Sequence, residues 1–288
     1  MLRDLNSFTW DEFAALDPHE LTYVLPIGAL EQHGRHLALG ADDFILRCVM
    51  DELHKDAEIP DQMICLPAIH YGNSHEHIGY RGVISLRCDT IVCIVRDILQ
   101  CMKEHGIPRL AVINSHGGNT ALLEAYAQEW EHEFGIKVYT ISFWSPWFFR
   151  GAKLDVETPL ALEIHAGEME TSILEYGMPE AVRPEKATPE MDNPVELKDY
   201  YCGWNTIEIA PGNGQMGMAS RATPEKGKQI LTYMKNRIKV CLIDIAGKND
   251  RIIENLVHSV RESVLFRPEL PARTLLTEGQ VWRTSLIM

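Results

Sequence analysis

Three short segments gather the side chains that bind metal ions or move protons. They are Glu31-Gln32-His33 with Asp42 and Asp43 beyond it, Asn114-Ser115-His116-Gly117-Gly118-Asn119, and Glu163, His165, Glu168 and Glu170 within LEIHAGEMETS. Carboxylate oxygens and imidazole nitrogens without thiolates suit zinc, manganese or iron in a working site rather than a closed structural zinc. In an extended E-x-H stretch, Glu31 and His33 point to the same side, and an Asp42 that opens a helix can fold back on them. Taken alone, such a cluster reads equally as solvated side chains on the outside of the protein. In the second segment two glycines let a ligand approach the backbone, Asn119 is placed to cap the next helix, and His116 faces the crevice. A phosphate cradle is the competing reading, but the segment lacks both G-x-G-x-x-G spacing and a P-loop lysine. Glu168 falls in the first turn of a helix opened by Gly167, where the helix dipole alone would favour it. Glu170, two residues on, is expected to miss the same ligand point and to serve at the helix start or behind the ligands.

The surrounding chain supplies elements that would carry these segments. The apolar run LTYVLPI at 21–27 predicts a buried strand ended by Gly28, followed by a helix over 42–53 and a strand at 63–67. Residues 89–105 predict an amphipathic helix with Ile91, Ile94, Val95, Ile98 and Met102 on one face, capped by Asp89 or Thr90 and stopped by Gly106. A strand at 109–113, a helix over 120–134 stopped by Gly135 and a strand at 136–143 complete a βαβ unit. The fold class is therefore α/β: a single-domain layered sandwich, residues 1–288, with a mostly parallel central sheet flanked by helices. Ligands in such sheets bind beyond the carboxyl ends of the strands, where the first two segments lie. The stretch at about 182–217, rich in Pro, Gly, Asn and Glu, is a long excursion expected to cover the site or an interface. Thr223-Pro224-Glu225 opens a last helix running to about Gly247.

Composition narrows the function class. The 288 residues carry 41 acidic and 27 basic side chains, a formal charge of -14 that would repel nucleic-acid phosphates and anionic membrane surfaces. The N-terminal segment lacks a signal-peptide core, and no run approaches the ~18 apolar residues of a membrane span, so a cytoplasmic protein is expected. Seven cysteines, at 48, 65, 88, 93, 101, 202 and 241, form no C-x-x-C pair and mostly fall in apolar stretches, as reduced core thiols do.

Four blocks in order, LPIGALEQHGRHLALGADD, GNSHEHIGYRGVISL, NSHGGN and HAGEMETS, resemble the creatininase (creatinine amidohydrolase) family over roughly residues 20–183. The resemblance implies metal ligands at Glu31, His33, Asp42 and His116, with Asp42 bridging two divalent ions of zinc, manganese or iron. It also implies substrate contacts near Ser74 and His165, a layered α/β sandwich, and a homo-oligomer with a hexamer favoured. Creatininase itself reads His-Tyr-Glu where this chain has His116-Gly117-Gly118, so the carboxylate on its second metal is missing. Glu168 is the replacement expected here, and creatinine is a poor substrate expectation.

The mechanism expected from these residues is attack on a substrate carbonyl by a hydroxide bridging two ions about 3.5 to 4 Å apart. His165 would protonate the leaving group as the intermediate collapses. Ser74, Glu76, His77 and Asn119 are the expected substrate contacts, with Trp144 and Trp147 placed to close the mouth. A small polar, cyclic amide is the expected substrate class. Ring opening of a cyclic diketo-polyol such as 3-dehydro-scyllo-inosose by C–C hydrolysis is the alternative, and a non-catalytic metal- or ligand-binding protein is the second.

Overall fold

A strand covered on both faces must be apolar along its whole length, and Thr22–Ile27 is buried at every position. It lies at the centre of a parallel sheet in the computed structural model, which describes residues 1–145, 147–159, 162–188, 203 and 205–247. The strands are β1 (Arg3–Asp4), β2 (Thr22–Ile27), β3 (Met63–Cys65), β4 (Arg109–Asn114) and β5 (Lys137–Ser142), in the order β1-β3-β2-β4-β5. Every pair is parallel, and β2 and β4 run in full register from Thr22 opposite Arg109 to Ile27 opposite Asn114. From β2 the chain crosses to one side of the sheet, and from β4 to the other. The carboxyl ends of these two central strands therefore flank the topological switch point, where open α/β sheets bind ligands.

Helices cover both faces. They are α1 (Trp10–Ala14), α2 (Ala41–His54), α3 (Cys88–His105), α4 (Gly117–Phe134), α5 (Glu168–Gly177), α6 (Thr206–Ile209) and α7 (Pro224–Ile245). On one face α2, α5 and α7 bury Ile45, Val49, Ile173, Met234 and Ile238 against the sheet. On the other, α3 and α4 bury Val95, Leu99, Leu123 and Trp130. Each such side chain contributes roughly 1.5–3 kcal/mol of transfer free energy. α7 lies so close on α5 that a Cβ at Gly227 would stand 1.9 Å from the Ser172 carbonyl oxygen, and only glycine allows that approach. Thr223 caps α7 by accepting from Lys226 N, as the sequence predicts.

Several local expectations are corrected. α3 begins at Cys88 after Arg87, and Asp89 pairs with the Arg87 guanidinium at 2.9 Å instead of capping the helix. Its buried stripe is Ile91, Val92, Val95, Leu99 and Met102, with Ile94 and Ile98 only half-buried. The rotation of that stripe leaves Cys88, Cys93 and Cys101 exposed rather than in the core; the six described cysteines are free thiols, and Cys202 lies outside the described residues. α4 starts at Gly117, three residues earlier than expected, because His116 takes the N-cap position and Asn119 is drawn inside the first turn. Of the 182–217 excursion, residues 189–202 and 204 fall outside the described residues, as do residues 248–288 of the expected single domain. Among the described residues, no helix is long and apolar enough to cross a membrane.

Candidate metal centre

Both central strands deliver their following loops to one point. Beyond β2 the chain carries Glu31 and His33, and the start of α2 returns Asp42. Beyond β4, His116 stands at the N-cap of α4, while α5 enters from the side with Glu170 at its third position. All five are buried. Their donor atoms form two triads, Glu31-Asp42-His116 and His33-Asp42-Glu170, each with all its atoms within 4.8 Å of one another. Asp42 belongs to both, with Oδ1 3.6 Å from His33 Nε2 and Oδ2 3.2 Å from His116 Nδ1.

Hydrogen bonds around the cluster fix which nitrogen faces inward. Carbonyl oxygens only accept, so His116 Nε2 donates to Asn73 O at 2.7 Å and His33 Nδ1 leans on Glu31 O at 3.4 Å. This leaves His116 Nδ1 and His33 Nε2 toward Asp42, the outer-partner arrangement that orients metal-binding imidazoles. Gln32 Nε2 donates to His77 Nδ1 at 2.9 Å, so His77 Nε2 presents its proton to Glu31 Oε1 at 3.0 Å. Glu31 Oε2, His33 Nε2 and Asp42 Oδ2 have no hydrogen-bond partner although fully enclosed. Unpartnered buried acceptors are costly, and a divalent cation among them is the group that the donor set fits.

Titration behaviour points the same way. Burial pulls His33 down, but Asp42, Glu170 and Glu31 together outweigh it and lift the ring to about 9. His116 is likewise lowered by burial yet raised well above its ordinary value overall by Glu31 and Asp42. Burial raises Asp42, but His33 and His116 hold it well below the usual carboxylate range. Glu170 is pushed up to about 7 by burial, against the pull of His33. Three clustered carboxylates thus favour positive charge at this point, which is the charge a divalent ion would bring.

Glu168 does not join this cluster. As the first residue of α5 it points into the α5–α7 interface, accepting from Lys226 Nζ at 2.7 Å and from Thr158 N and Oγ1, each at 2.7 Å. At about 100° per residue, Glu168 and Glu170 diverge by roughly 200° around α5, so only one can reach the centre. It is Glu170. The position that carries glutamate in creatininase is also closed: a Cβ on Gly118 would lie 2.5 Å from both Glu76 Oε1 and His116 Nε2, and 2.4 Å from Asn73 O.

The remaining expected residues divide. His165 stands at the centre, its ring 4.3 Å from both His33 and His77 by centroid, with Nε2 donating to Gln32 O at 2.6 Å and Nδ1 3.8 Å from Glu31 Oε1. Burial, then His77 and His33, drive its pKa well below the ordinary value. Glu76 and His77 line the cleft that opens over the cluster, together with Trp144, Phe149, Arg150 and Glu163; its volume is about 1020 Å³. Trp144 donates to Ser115 O at 2.6 Å, whereas Trp147 is 65% exposed and stacks with the guanidinium of Arg150, which lines the cleft. Ser74 is fully buried with its hydroxyl unpartnered. Asn119, expected at the substrate, instead spends its amide on scaffold bonds, accepting from Asn73 N and donating to Gly28 O and Asn114 Oδ1. Sequence reasoning missed the Asn73 carbonyl and the role of Gln32, because backbone acceptors and amides carry no residue-type signal for such work.

A doubly wound parallel sheet with a carboxylate–imidazole cluster at its switch point defines a class of metal-binding α/β proteins. Within that class, the Creatininase family model, creatinine amidohydrolase, matches residues 6–241, and the chain belongs to that family. A mycofactocin precursor peptide peptidase of Mycobacterium tuberculosis (strain CDC 1551 / Oshkosh) is 28% identical, covering 80% of this chain and 87% of its own. The creatinine amidohydrolase of Pseudomonas putida is also 28% identical, covering 84% and 94%. A solved mutant creatininase superposes with a TM-score of 0.71 at 22% identity, covering 85% of this chain and 99% of that one. Solved creatininases of this fold include a zinc–zinc form and a manganese form.

Proposed function

We propose that this creatininase-family protein is a hydrolase that opens an amide C–N bond using two divalent ions of the zinc, manganese or iron class held on either side of Asp42. The observation that carries the reading is the pair of donor triads sharing that one carboxylate at the base of the cleft. Bound ions there would lower the pKa of a shared water and polarise the substrate carbonyl.

The chain's own groups do the rest. Glu31, Asp42 and Glu170 bring three negative charges to the ions, so the enclosed centre carries no large uncompensated charge. His77 and the Asn73 carbonyl hold Glu31 and His116 in orientation. His165, tied at Nε2 to the Gln32 carbonyl, offers Nδ1 to take the proton of the attacking water and deliver it to the leaving nitrogen. Two relatives at 28% identity are named for amide cleavage, one of creatinine and one of a precursor peptide, which favours C–N over C–C hydrolysis. A small polar ring fits the cleft with space left over, so the amide substrate class extends to the end of a short peptide. Creatinine itself is not the proposed substrate, because His116-Gly117-Gly118 departs from the His-Tyr-Glu of creatininase.

Homo-oligomeric assembly is part of the reading. Exposed Leu39, Ile78, Ile84 and Ile207 form apolar surface that a second subunit would cover, and sedimentation measures it. The central experiment is elemental mass spectrometry on protein purified without chelator, followed by turnover of lactams and short peptides before and after metal stripping. Near two transition-metal equivalents per chain with metal-restored amide cleavage is expected. Protein that neither holds nor can be loaded with zinc, manganese or iron overturns the reading.

A further inference from the structure

At the opposite end of α2 from Asp42, a second mixed donor set comes together that shares no residue with the centre just described. Asp4, His54 and Cys65 bring a carboxylate oxygen, an imidazole nitrogen and a thiol sulfur within 4.8 Å of one another. Twelve residues separate Asp42 from His54, about 18 Å along the helix.

Each donor is aimed by the fold. Asp4 pairs with Cys65 across the parallel β1–β3 ladder, so the two side chains project from the same face of the sheet. Although Asp4 precedes a helical turn at Leu5–Ser7, its carboxylate makes no capping bond there. His54 Nδ1 donates to Leu2 O at 3.3 Å, leaving Nε2 as the lone-pair nitrogen, 3.4 Å from Asp4 Oδ1. Tetrahedral zinc with usual Zn–N and Zn–O lengths spans a nitrogen–oxygen edge of roughly 3.4 Å, and the fixed tautomer is what a metal-binding histidine requires. The sulfur lies within 4.8 Å of both other donors, and exposed Asp4 with half-buried His54 have the freedom to close on it. A small cleft of about 210 Å³ runs past Asp4 and Cys65 and gives solvent entry.

We propose that Asp4, His54 and Cys65 form a peripheral site for a zinc-class divalent ion, which fastens β1 and the end of α2 to β3. Binding displaces the Cys65 thiol proton to solvent, so the carboxylate and thiolate together cancel the ion's two positive charges. Because the thiol must give up its proton to bind, ion binding rises with pH. The fourth position is open to water.

Cobalt(II) titration of metal-stripped full-length protein tests the site, because thiolate–cobalt charge transfer absorbs in the near ultraviolet and the Asp42 centre contains no thiol among the described residues. One equivalent of this absorption is expected in the wild type and in Glu31→Gln, none in Cys65→Ser, and at least tenfold weaker cobalt binding in His54→Gln. Cys65→Ser and His54→Gln should lose the share of the cobalt-dependent rise in melting temperature that this site supplies, with turnover unchanged. Absence of the band from wild type, or its persistence in Cys65→Ser, overturns the proposal. Should Cys65→Ser not fold, unchanged affinity in His54→Gln overturns it equally.

Discussion

Glu170 Oε2 accepts the backbone N–H of Ala166 at 2.6 Å, and Ala166 is the one non-glycine residue with positive φ, 51°, among the described residues. Such a conformation costs on the order of 1–3 kcal/mol and persists only where neighbours hold it. One carboxylate thus fixes the turn before α5 and faces His33 and Asp42. Glu170→Gln keeps an acceptor for Ala166 and removes the charge. We expect near-normal melting, metal content reduced by about one equivalent, and turnover lowered by 10² or more, measured by elemental mass spectrometry and assay.

Gly118 is held small by what surrounds it, not by its own conformation. Gly118→Ala must displace Glu76, His116 or the Asn73 carbonyl. Misplacement by about 1 Å at a reacting centre costs on the order of 10² in rate. A kcat/KM within threefold of wild type would show that the loop yields without moving His116.

His165→Asn separates proton transfer from metal binding. Loss of a positioned general acid–base costs about 10² to 10⁴ in kcat, with both metals retained. A fall in metal content instead would place His165 Nδ1 among the ligands.

The Lys226–Glu168 pair lies inside the protein, and Lys226 also reaches Glu157 at 2.9 Å. Burial raises the Glu168 carboxyl, but Lys226, the Glu157 N–H and the Thr158 bonds together outweigh it and lower it overall. Lys226→Met strands that charge and is expected to cost about 3–5 kcal/mol in denaturant unfolding. Lys226→Met/Glu168→Met recovers most of the loss. In both variants the metal content of the folded protein should stay near wild type, because Glu168 is not a ligand.

Asp56 connects the end of α2 to α7 through Lys235 at 2.8 Å and Lys239 at 3.1 Å. Burial raises its carboxyl, yet these lysines bring it down from 3.8 to about 2. A folded pKa below the unfolded one adds stability that is complete above 3.8 and disappears as pH falls through about 2. Urea unfolding from pH 2 to 6 should show the wild type more stable than Asp56→Asn near pH 6, with the gap closing toward pH 2.

The sequence by itself determined the alternation of strands and helices, the parallel sheet and the neighbourhood of the site, because buried apolar runs, glycine stops and the Thr223 cap act locally. It placed Glu31, His33, Asp42 and His116 together through ordered motifs, and it recognised that Glu168 and Glu170 could not both reach one point. Which of the two turns inward was decided only in three dimensions. The buried ammonium of Lys226, 58 residues further on, demands Glu168, and the α5–α7 contact at Gly227 sets the rotation that leaves Glu170 facing His33. Asn119 was drawn into the scaffold for the same kind of reason: its partners at Gly28 and Asn73 come from remote loops. A helix position specifies an angle about its own axis. Only the charges and surfaces packed around that helix specify where the angle points.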